Sequence, residues 1–577
     1  MKWFFTPSAE TDPSPRHDDD NAPGLIGLPA EVLQRHGARV LDPGKAALLS
    51  GDQPPRPTVY RARTLLVPDD VIQNGDHIDA ARMILTRIGL ELRLPRGDLG
   101  FGRGDREIFG VLRQLPRAVV LAPVQGFPTP VEVDAWVALQ TLRTGAADQD
   151  RPEGFREAVE RISLEHLLVG SAITGSPAGS WGGGIAGGPG TSSGAGPGST
   201  DSYLFSGGDP RTPVAVLVDP PARQPDGAIV SEYGRRPVVA VVDTGVRAHP
   251  WLDVAPDRAG GYTTPAGSFV TVDNAIQDAI RAEGEAANGS DGSRQVIWAA
   301  WDEPMTANPL IGECNPALGH STFIAGIVRQ VAPEARVLAV RVMRSDDILY
   351  EGDIICALRH LAKRIARARQ DDVVAQVDVV SLSFGYFSES AHDKVVTSGL
   401  WQAIKVLLSL GVVVVAAAGN YATSRKFYPA AFALEPVPAG QVPVISVGAL
   451  NPNGTKAVFS NDGHWVTAWA VGACVVSTYP VDADASRTPE LRIPVNRMPS
   501  GQWPPGREAL DPNDYSAGFA LWSGTSFSAP YGAALIAKSL LKGAKPVGSG
   551  LKLDSPGTEE KRRRALAACN NLPRRIP

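Results

Sequence analysis

Val-rich runs alternate with amphipathic stretches in the second half of the chain, and this alternation constrains the fold more than any other feature. The amphipathic stretches cover about 320–330, 352–369, 393–410 and 526–540. Continuous apolar strands separated by helices bury both faces of a sheet, so the pattern predicts an α/β fold with a mainly parallel sheet and helices on both faces. In such folds the chemistry lies at the carboxyl ends of the strands. The runs are Pro237 to Gly245, Arg336 to Met343, Val377 to Phe384, Val412 to Ala418 and Val442 to Ala449.

The 577-residue chain divides into five predicted segments. Residues 1–55 are rich in Pro, Asp and Arg without periodicity, and we expect them to be disordered. Residues 56–170 alternate strand and helix patterns and predict a small α/β domain. Residues 171–230 form a predicted Gly/Pro-rich flexible linker, with eleven glycines between positions 175 and 198. The main α/β domain is expected at 231–545, and a solvated basic tail at 546–577.

Composition excludes several classes of protein. The net charge of −5 lacks the basic excess of a dedicated nucleic-acid binder. No apolar run is long enough to cross a bilayer, and the first residues lack the apolar core of a secretory signal, so we expect a cytoplasmic protein without membrane partners. The four cysteines fit no zinc pattern, and buried reduced thiols are favoured over disulfides.

Three short strings contain side chains suited to catalysis. Asp243 follows the first Val-rich run directly, His320 begins an apolar helix, and Ser526 lies in the turn that precedes the last helix. Each has an ordinary structural explanation when taken alone. An Asp is common in turns, a His at a helix start is often structural, and a Ser there often caps the helix.

Together, in the order Asp, His, Ser, these strings resemble the subtilisin-like serine peptidases, or subtilases. Val379–Gly385 looks like the strand that pairs with extended substrate, and Ala416–Asn420 looks like the strand that ends in the oxyanion-hole asparagine. The resemblance covers about residues 235–540. Further strings agree with it in the same order: Tyr428 to Ala430, Val444 to Ala449 and Phe459 to Asn461.

The resemblance implies a role for each matching residue. Ser526 would be the nucleophile, His320 the general base and Asp243 the residue that orients and stabilises the imidazole. Asn420 would donate to the oxyanion. Polypeptides would be the substrates, catalysis would need no cofactor, and structural calcium would be possible. The implied substrate-binding residues are Ser383, Phe384, Gly385, Ala418 and Gly419.

Some features depart from the family pattern or repeat its residue types. The usual His-Gly-Thr string is His320-Ser321-Thr322 here, and we expect activity to survive the change. His249 and Ser528 match family positions where the expected role is structural. Longer segments between Asp243 and His320, and between Thr478 and Tyr515, are expected to extend loops near the cleft.

Two sets of alternatives stay open. The chain is predicted to be a serine endopeptidase, and the rival is a catalytically silent subtilase-fold protein that binds peptides or partner proteins. A second rival is another hydrolase on an α/β sheet, such as an esterase. Such an enzyme is expected to have a Gly-x-Ser-x-Gly elbow with Ser before Asp and His, which is the reverse of the order here. Residues 56–170 are either a prodomain or an accessory domain. The prodomain hypothesis predicts a cut between Gly170 and Arg235, and inhibition of the catalytic part by this unit.

Overall fold

The computed structural model describes much of the chain, and every structural statement below concerns that part. The described residues are 4–5, 27–48, 54–95, 110–173, 203, 210–258, 261–288, 292, 294–302, 306–308, 310, 313–367, 375–391, 395, 397–484, 491–493, 507–543, 553 and 558–570.

The main sheet has eight strands and carries the predicted catalytic strings. Seven strands are parallel, and Phe4–Phe5 pairs antiparallel at one edge. In the central strand Val238–Asp243, Val239 and Val241 pack in one core while Ala240 and Val242 pack in the other, so both faces are buried as predicted. The strand order across the sheet is Phe4–Phe5, Ala468–Val471, Ile445–Leu450, Val413–Ala417, Val379–Leu382, Val238–Asp243, Arg336–Arg341, Val270–Val272.

A second sheet, entirely antiparallel, belongs mostly to the N-terminal unit. Its long strand Thr58–Pro68 pairs on one side with Pro116–Pro123 and on the other with Ser163–Gly170. The outer strands of this unit are Leu90–Arg93 and Ala38–Leu41. Helices Gly75–Thr86 and Ala135–Gly145 pack with this sheet in a separate apolar core. The sheet then continues into the main domain, because Ser163–Gly170 also pairs with Ile348–Tyr350 and Phe384–Gly385.

The helices of the main domain cover both faces of the main sheet. A third sheet joins Val475–Thr478, Phe519–Trp522 and Thr212–Pro213. The short two-stranded pairs are Ala255–Pro256 with Tyr262–Thr263, Thr306–Asn308 with Glu313–Cys314, and Arg492–Ile493 with Arg507–Glu508. The remaining helices are Ala30–Arg35, Asp69–Ile72, Phe155–Glu160, Asp226–Tyr233, Asn274–Ala286, His320–Val331, Glu351–Arg367, Gly399–Ser409, Thr525–Gly543 and Thr558–Asn570, with 3-10 turns at Pro250–Leu252 and Ala430–Leu434.

The ends of the chain are more ordered than the composition predicts. Within 1–55, Ala30–Arg35 is a helix that buries Val32, and Ala38–Leu41 pairs with the N-terminal sheet. The basic tail is not simply solvated, because Thr558–Asn570 is a helix that buries Ala565 and Ala568. Lys561 in that helix is buried and donates to the backbone oxygen of Val377 at 2.6 Å. Local composition does not reveal that a charged side chain will find a carbonyl in the core.

The linker and one insertion also differ from the expectation. Residues 210–230 of the predicted linker are described, and they contribute a strand and the start of a helix. The Gly-rich stretch from 175 to 198 lies outside the described residues. The segment between Asp243 and His320 adds an edge strand, Val270–Val272, and a helix, Asn274–Ala286, to the main domain. It therefore extends the core as well as the loops.

None of the four cysteines forms a disulfide, as predicted, but they are not all buried. Cys356 is buried, Cys314 and Cys569 are partly exposed, and Cys474 is exposed. Among the described helices, none combines the length and the apolar character needed to cross a bilayer.

Candidate active site

Asp243 and His320 meet at the carboxyl end of the main sheet. Asp243 is the last residue of the central strand, and His320 is the first residue of its helix. Nδ1 of His320 lies 2.7 Å from Oδ1 of Asp243, and both side chains are buried. Burial acts to lower the pKa of the imidazole, but the Asp243 carboxylate outweighs it and leaves the pKa of His320 above its usual value. The pair thus has the geometry of a base held by a carboxylate.

The same carboxylate oxygen accepts two further hydrogen bonds. The backbone N–H of Thr244 donates at 2.7 Å, and the hydroxyl of Ser321 donates at 3.1 Å. Ser321 is the residue that replaces glycine in the family string. Its hydroxyl therefore adds a donor to Asp243 that a glycine at this position does not provide.

Ser526 lies at the start of the helix Thr525–Gly543, and Asn420 follows the end of the strand Val413–Ala417. Ser526 is in the first turn of Thr525–Gly543, and its hydroxyl donates to the backbone oxygen of Ser383 at 3.1 Å. Nε2 of His320 is buried without a hydrogen-bond partner among the described residues. The Asn420 amide is oriented by Thr525, whose N–H and hydroxyl both donate to Oδ1 at 2.9 Å. This leaves the NH₂ group of Asn420 free to donate toward the cleft.

That donor position is filled by the chain itself. The carbonyl oxygen of Ser171 accepts from Nδ2 of Asn420 at 2.6 Å and from the backbone N–H of Ser526 at 2.9 Å. Two residues after Ser171, the backbone N–H of Ile173 donates to the backbone oxygen of Ser523 at 2.9 Å. The carbonyl oxygen of Ile173 accepts from the Trp522 indole at 2.7 Å. The Ser171–Ala172 peptide bond therefore lies between the two donors predicted for the oxyanion.

The residues before Ser171 lie in the cleft as an extended peptide between two strands of the main domain. Leu167–Val169 pairs antiparallel with Ile348–Tyr350, and Val169–Gly170 pairs with Phe384–Gly385 on the other side. Ser171 donates to the backbone oxygen of Ser383 at 2.9 Å. This is the geometry of strand addition in peptide recognition. The prodomain alternative predicts that this unit inhibits the main domain, but nothing in the residues of Ser163–Gly170 predicts which strands it pairs with.

The other predicted substrate-binding residues divide into two groups. Ser383, Phe384 and Gly385 contact this segment through their backbone. Ala418 and Gly419 lie behind Asn420: the carbonyl oxygen of Ala418 accepts from Asn461 at 2.8 Å, and Gly419 donates to Thr525 at 3.0 Å. Their described hydrogen bonds position the Asn420 loop and do not reach the segment.

Two residues expected to be structural are held away from the reacting groups. His249 uses both ring nitrogens, accepting from the backbone N–H of Trp251 at 3.0 Å and donating to the carbonyl oxygen of Gly518 at 2.8 Å. Burial lowers its pKa to about 4. The hydroxyl of Ser528 donates to the backbone oxygen of Ala470 at 3.1 Å, on the side of the helix that faces the main sheet.

Among the described residues, one group of three metal-ligating side chains lies within ligand distance of each other: Glu283, Cys356 and His360. It contains a single carboxylate, and Arg359 donates to Glu283 at 2.7 Å. Calcium prefers six to eight oxygen ligands, so this group does not suit it. The expectation of structural calcium stays a prediction.

Comparison with known proteins gives consistent matches. The family model described as "Subtilase family" matches residues 234–550. Thermitase from Thermoactinomyces vulgaris is 30% identical over 249 residues, which is 43% of this chain and 67% of that protein. Subtilisin BL from Lederbergia lenta is 30% identical over 257 residues, 43% of this chain and 68% of that protein. "Subtilisin-like protease 3" from Pseudogymnoascus destructans is 29% identical over 174 residues, 30% of this chain and 38% of that protein.

One solved structure is a more distant neighbour. It is fervidolysin from Fervidobacterium pennivorans, described as a keratinolytic enzyme related to subtilisin. The identity is 16% and the TM-score 0.41, with 87% of this chain and 57% of that chain covered.

Proposed function

The chain belongs to the subtilase family of subtilisin-like serine endopeptidases, and from that premise we propose that it hydrolyses peptide bonds through Ser526, His320 and Asp243, with Asn420 in the oxyanion hole. One observation carries the proposal. A peptide carbonyl, that of Ser171, accepts from both expected oxyanion donors, the Asn420 amide and the Ser526 N–H. Such donors stabilise the charge that develops on this oxygen in acyl transfer.

The proposed reaction uses each of these side chains in turn. Rotation of the Ser526 hydroxyl away from the Ser383 carbonyl would direct its proton to Nε2 of His320, which has no other partner among the described residues. Ser526 then attacks the carbonyl carbon, His320 takes the proton, and Asp243 stabilises the imidazolium at Nδ1. His320 returns the proton to the leaving amine, and water hydrolyses the acyl-enzyme by the same steps. No step needs a cofactor.

We further propose that the first substrate is the chain's own Ser171–Ala172 bond and that the N-terminal unit is a prodomain that inhibits the enzyme. Residues 167–171 fill the cleft through backbone pairing, so no other polypeptide can bind there. Buried charges support a tight contact: Glu165 of the unit accepts from Arg294 of the main domain at 2.9 Å. Polypeptides are thus both the substrates and, in this unit, the inhibitor.

Labelling with a fluorophosphonate probe tests the proposed nucleophile. The processed wild-type enzyme should react with the probe at Ser526 and should digest an unfolded protein without added metal. Ser526→Ala should neither react with the probe nor digest the protein. Ser528→Ala is the matched control, because its hydroxyl binds Ala470 and faces away from the cleft; it should keep labelling. Absence of labelling in the wild type, with no digestion, would favour the silent peptide-binding alternative.

A further inference from the structure

Gly170 precedes the residue whose carbonyl lies between the two oxyanion donors, so it occupies the P2 position of the segment in the cleft. Its N–H donates to the backbone oxygen of Asp347 at 3.3 Å. A Cβ added at this position would overlap Oδ1 of Asp347. It would also lie 3.0 Å from Cγ of Asp347 and 3.2 Å from Cε of Met343. The space that a P2 side chain would use is therefore already occupied.

The backbone of Gly170 does not itself require glycine. Gly170 is absent from the residues with positive φ, and it pairs as a regular strand residue with Phe384. Any L-residue adopts this conformation. What distinguishes the position is the contact with Asp347.

Asp347 is held by its backbone rather than by its side chain. It lies in a tight turn with φ of 73°, where its N–H donates to the Arg344 carbonyl at 3.0 Å and Arg344 donates to the Ile348 carbonyl at 3.0 Å. Asp347 is 3% exposed, and its Oδ1 has no hydrogen-bond partner among the described residues. Burial raises the pKa of this carboxyl to about 7, although the nearby His320 acts to lower it. Because it is buried, this side chain has little space to rotate aside, and it acts as a wall of the cleft.

We propose that Asp347 closes the pocket for the P2 side chain and restricts cleavage to polypeptide sites with glycine at P2. This inference rests on the proposed peptidase function and names the class of site that such a peptidase accepts. A rival role for an acidic side chain here is attraction of a Lys or Arg at P2. The overlap with even a Cβ favours closure, since a longer side chain needs more room still.

Self-processing of the full chain tests the proposal with a compensating pair of substitutions. Gly170→Ala should slow cleavage at Ser171–Ala172 by about tenfold to a hundredfold, as expected for an overpacked contact. Adding Asp347→Gly should restore most of the rate, because it removes the obstructing side chain and glycine tolerates the positive φ. Gly170→Ala combined with Asp347→Asn should stay slow, since Asn has nearly the same volume as Asp.

Processed enzyme acting on peptides gives the second readout. We would compare Leu-Leu-Val-Gly-Ser-Ala-Ile with the peptides that carry Ala or Lys in place of Gly. The wild type and Asp347→Asn should both prefer Gly, and Asp347→Gly should lose the preference. Equal processing of Gly170→Ala and the wild type would overturn the inference about P2 and leave the proposed peptidase function intact. A Lys preference that Asp347→Asn abolishes would do the same. Failure of the wild type to cut any of these peptides or its own chain would overturn the proposed function as well.

Discussion

Asn420 donates its side-chain amide to the carbonyl oxygen of Ser171 at 2.6 Å. A main-chain oxygen that follows the N-terminal unit thus occupies the place where we propose that the oxyanion of a substrate develops. The contact links the two halves of the account, because the proposed catalytic donor and the bond proposed for cleavage meet there.

Asn420→Ala should lower kcat by a factor on the order of 10²–10³, with little change in KM, because the amide acts chiefly on the transition state. Steady-state kinetics on a peptide substrate measure this. Thr525→Val is the companion variant, since it removes the hydroxyl that orients the amide but leaves the backbone N–H donor in place. Its loss should be smaller, and an Asn420→Ala effect confined to KM would refute the oxyanion role.

Ser321→Ala should leave an active enzyme whose acid limb of kcat/KM moves to higher pH. The hydroxyl donates to the Asp243 oxygen that also binds His320. Removing a donor leaves more negative charge facing the imidazole, which favours its protonated form and raises the pKa of His320 further. The loss of kcat/KM above the acid limb should stay within about tenfold, since a net hydrogen bond contributes roughly 1 kcal/mol. An unchanged pH profile would show that Ser321 does not act on the pair.

Docking of the processed N-terminal unit should weaken as pH rises. His166 of this unit lies between Glu351 at 2.6 Å and Glu389 at 2.8 Å and stacks on Tyr386. Burial would lower its pKa, but the two carboxylates outweigh burial and raise the pKa of His166 from 6.5 to about 10. A raised pKa means that the docked state holds a proton that the released unit gives up. The contribution of His166 is therefore complete below pH 6.5 and is lost as pH rises through about 10.

The acid side has the opposite sign. Burial acts to raise the pKa of Glu389, but His166 outweighs it and lowers the pKa from 4.5 to about 2, so this contribution is present above pH 4.5 and is lost as pH falls toward 2.

The alkaline decline is measured as the fraction of the N-terminal unit that co-elutes with the main domain from pH 6 to pH 10. His166→Gln should weaken docking at neutral pH and flatten the alkaline decline. The same decline in both proteins would exclude His166 as its cause.

The main fold could be predicted because its signals are local and redundant. Val238–Asp243 reads as a strand from its own residues, and the strings around His320, Asn420 and Ser526 each carry a helix start or a strand end. The strand partners of Ser163–Gly170 could not be predicted from its own residues. Nothing in an apolar run says that its two neighbours, Ile348–Tyr350 and Phe384–Gly385, come from another domain.

The burial of charged side chains could not be predicted either, for a related reason. Lys561 reads as part of a solvated basic run, yet it is buried against the Val377 carbonyl. The sequence does not single out Asp347, and its contact with Gly170 joins positions that are far apart in the chain. Such partners are set by tertiary packing, so only the structure brings them together.

The central claim is that the chain cuts its own Ser171–Ala172 bond with Ser526. The most direct measurement is the intact mass of the purified full-length protein, compared between the wild type and Ser526→Ala. The account predicts that the wild type yields a fragment ending at Ser171 and that Ser526→Ala stays whole. An uncut wild-type chain with full peptidase activity would contradict it, as would the same cut in Ser526→Ala with no contaminating protease.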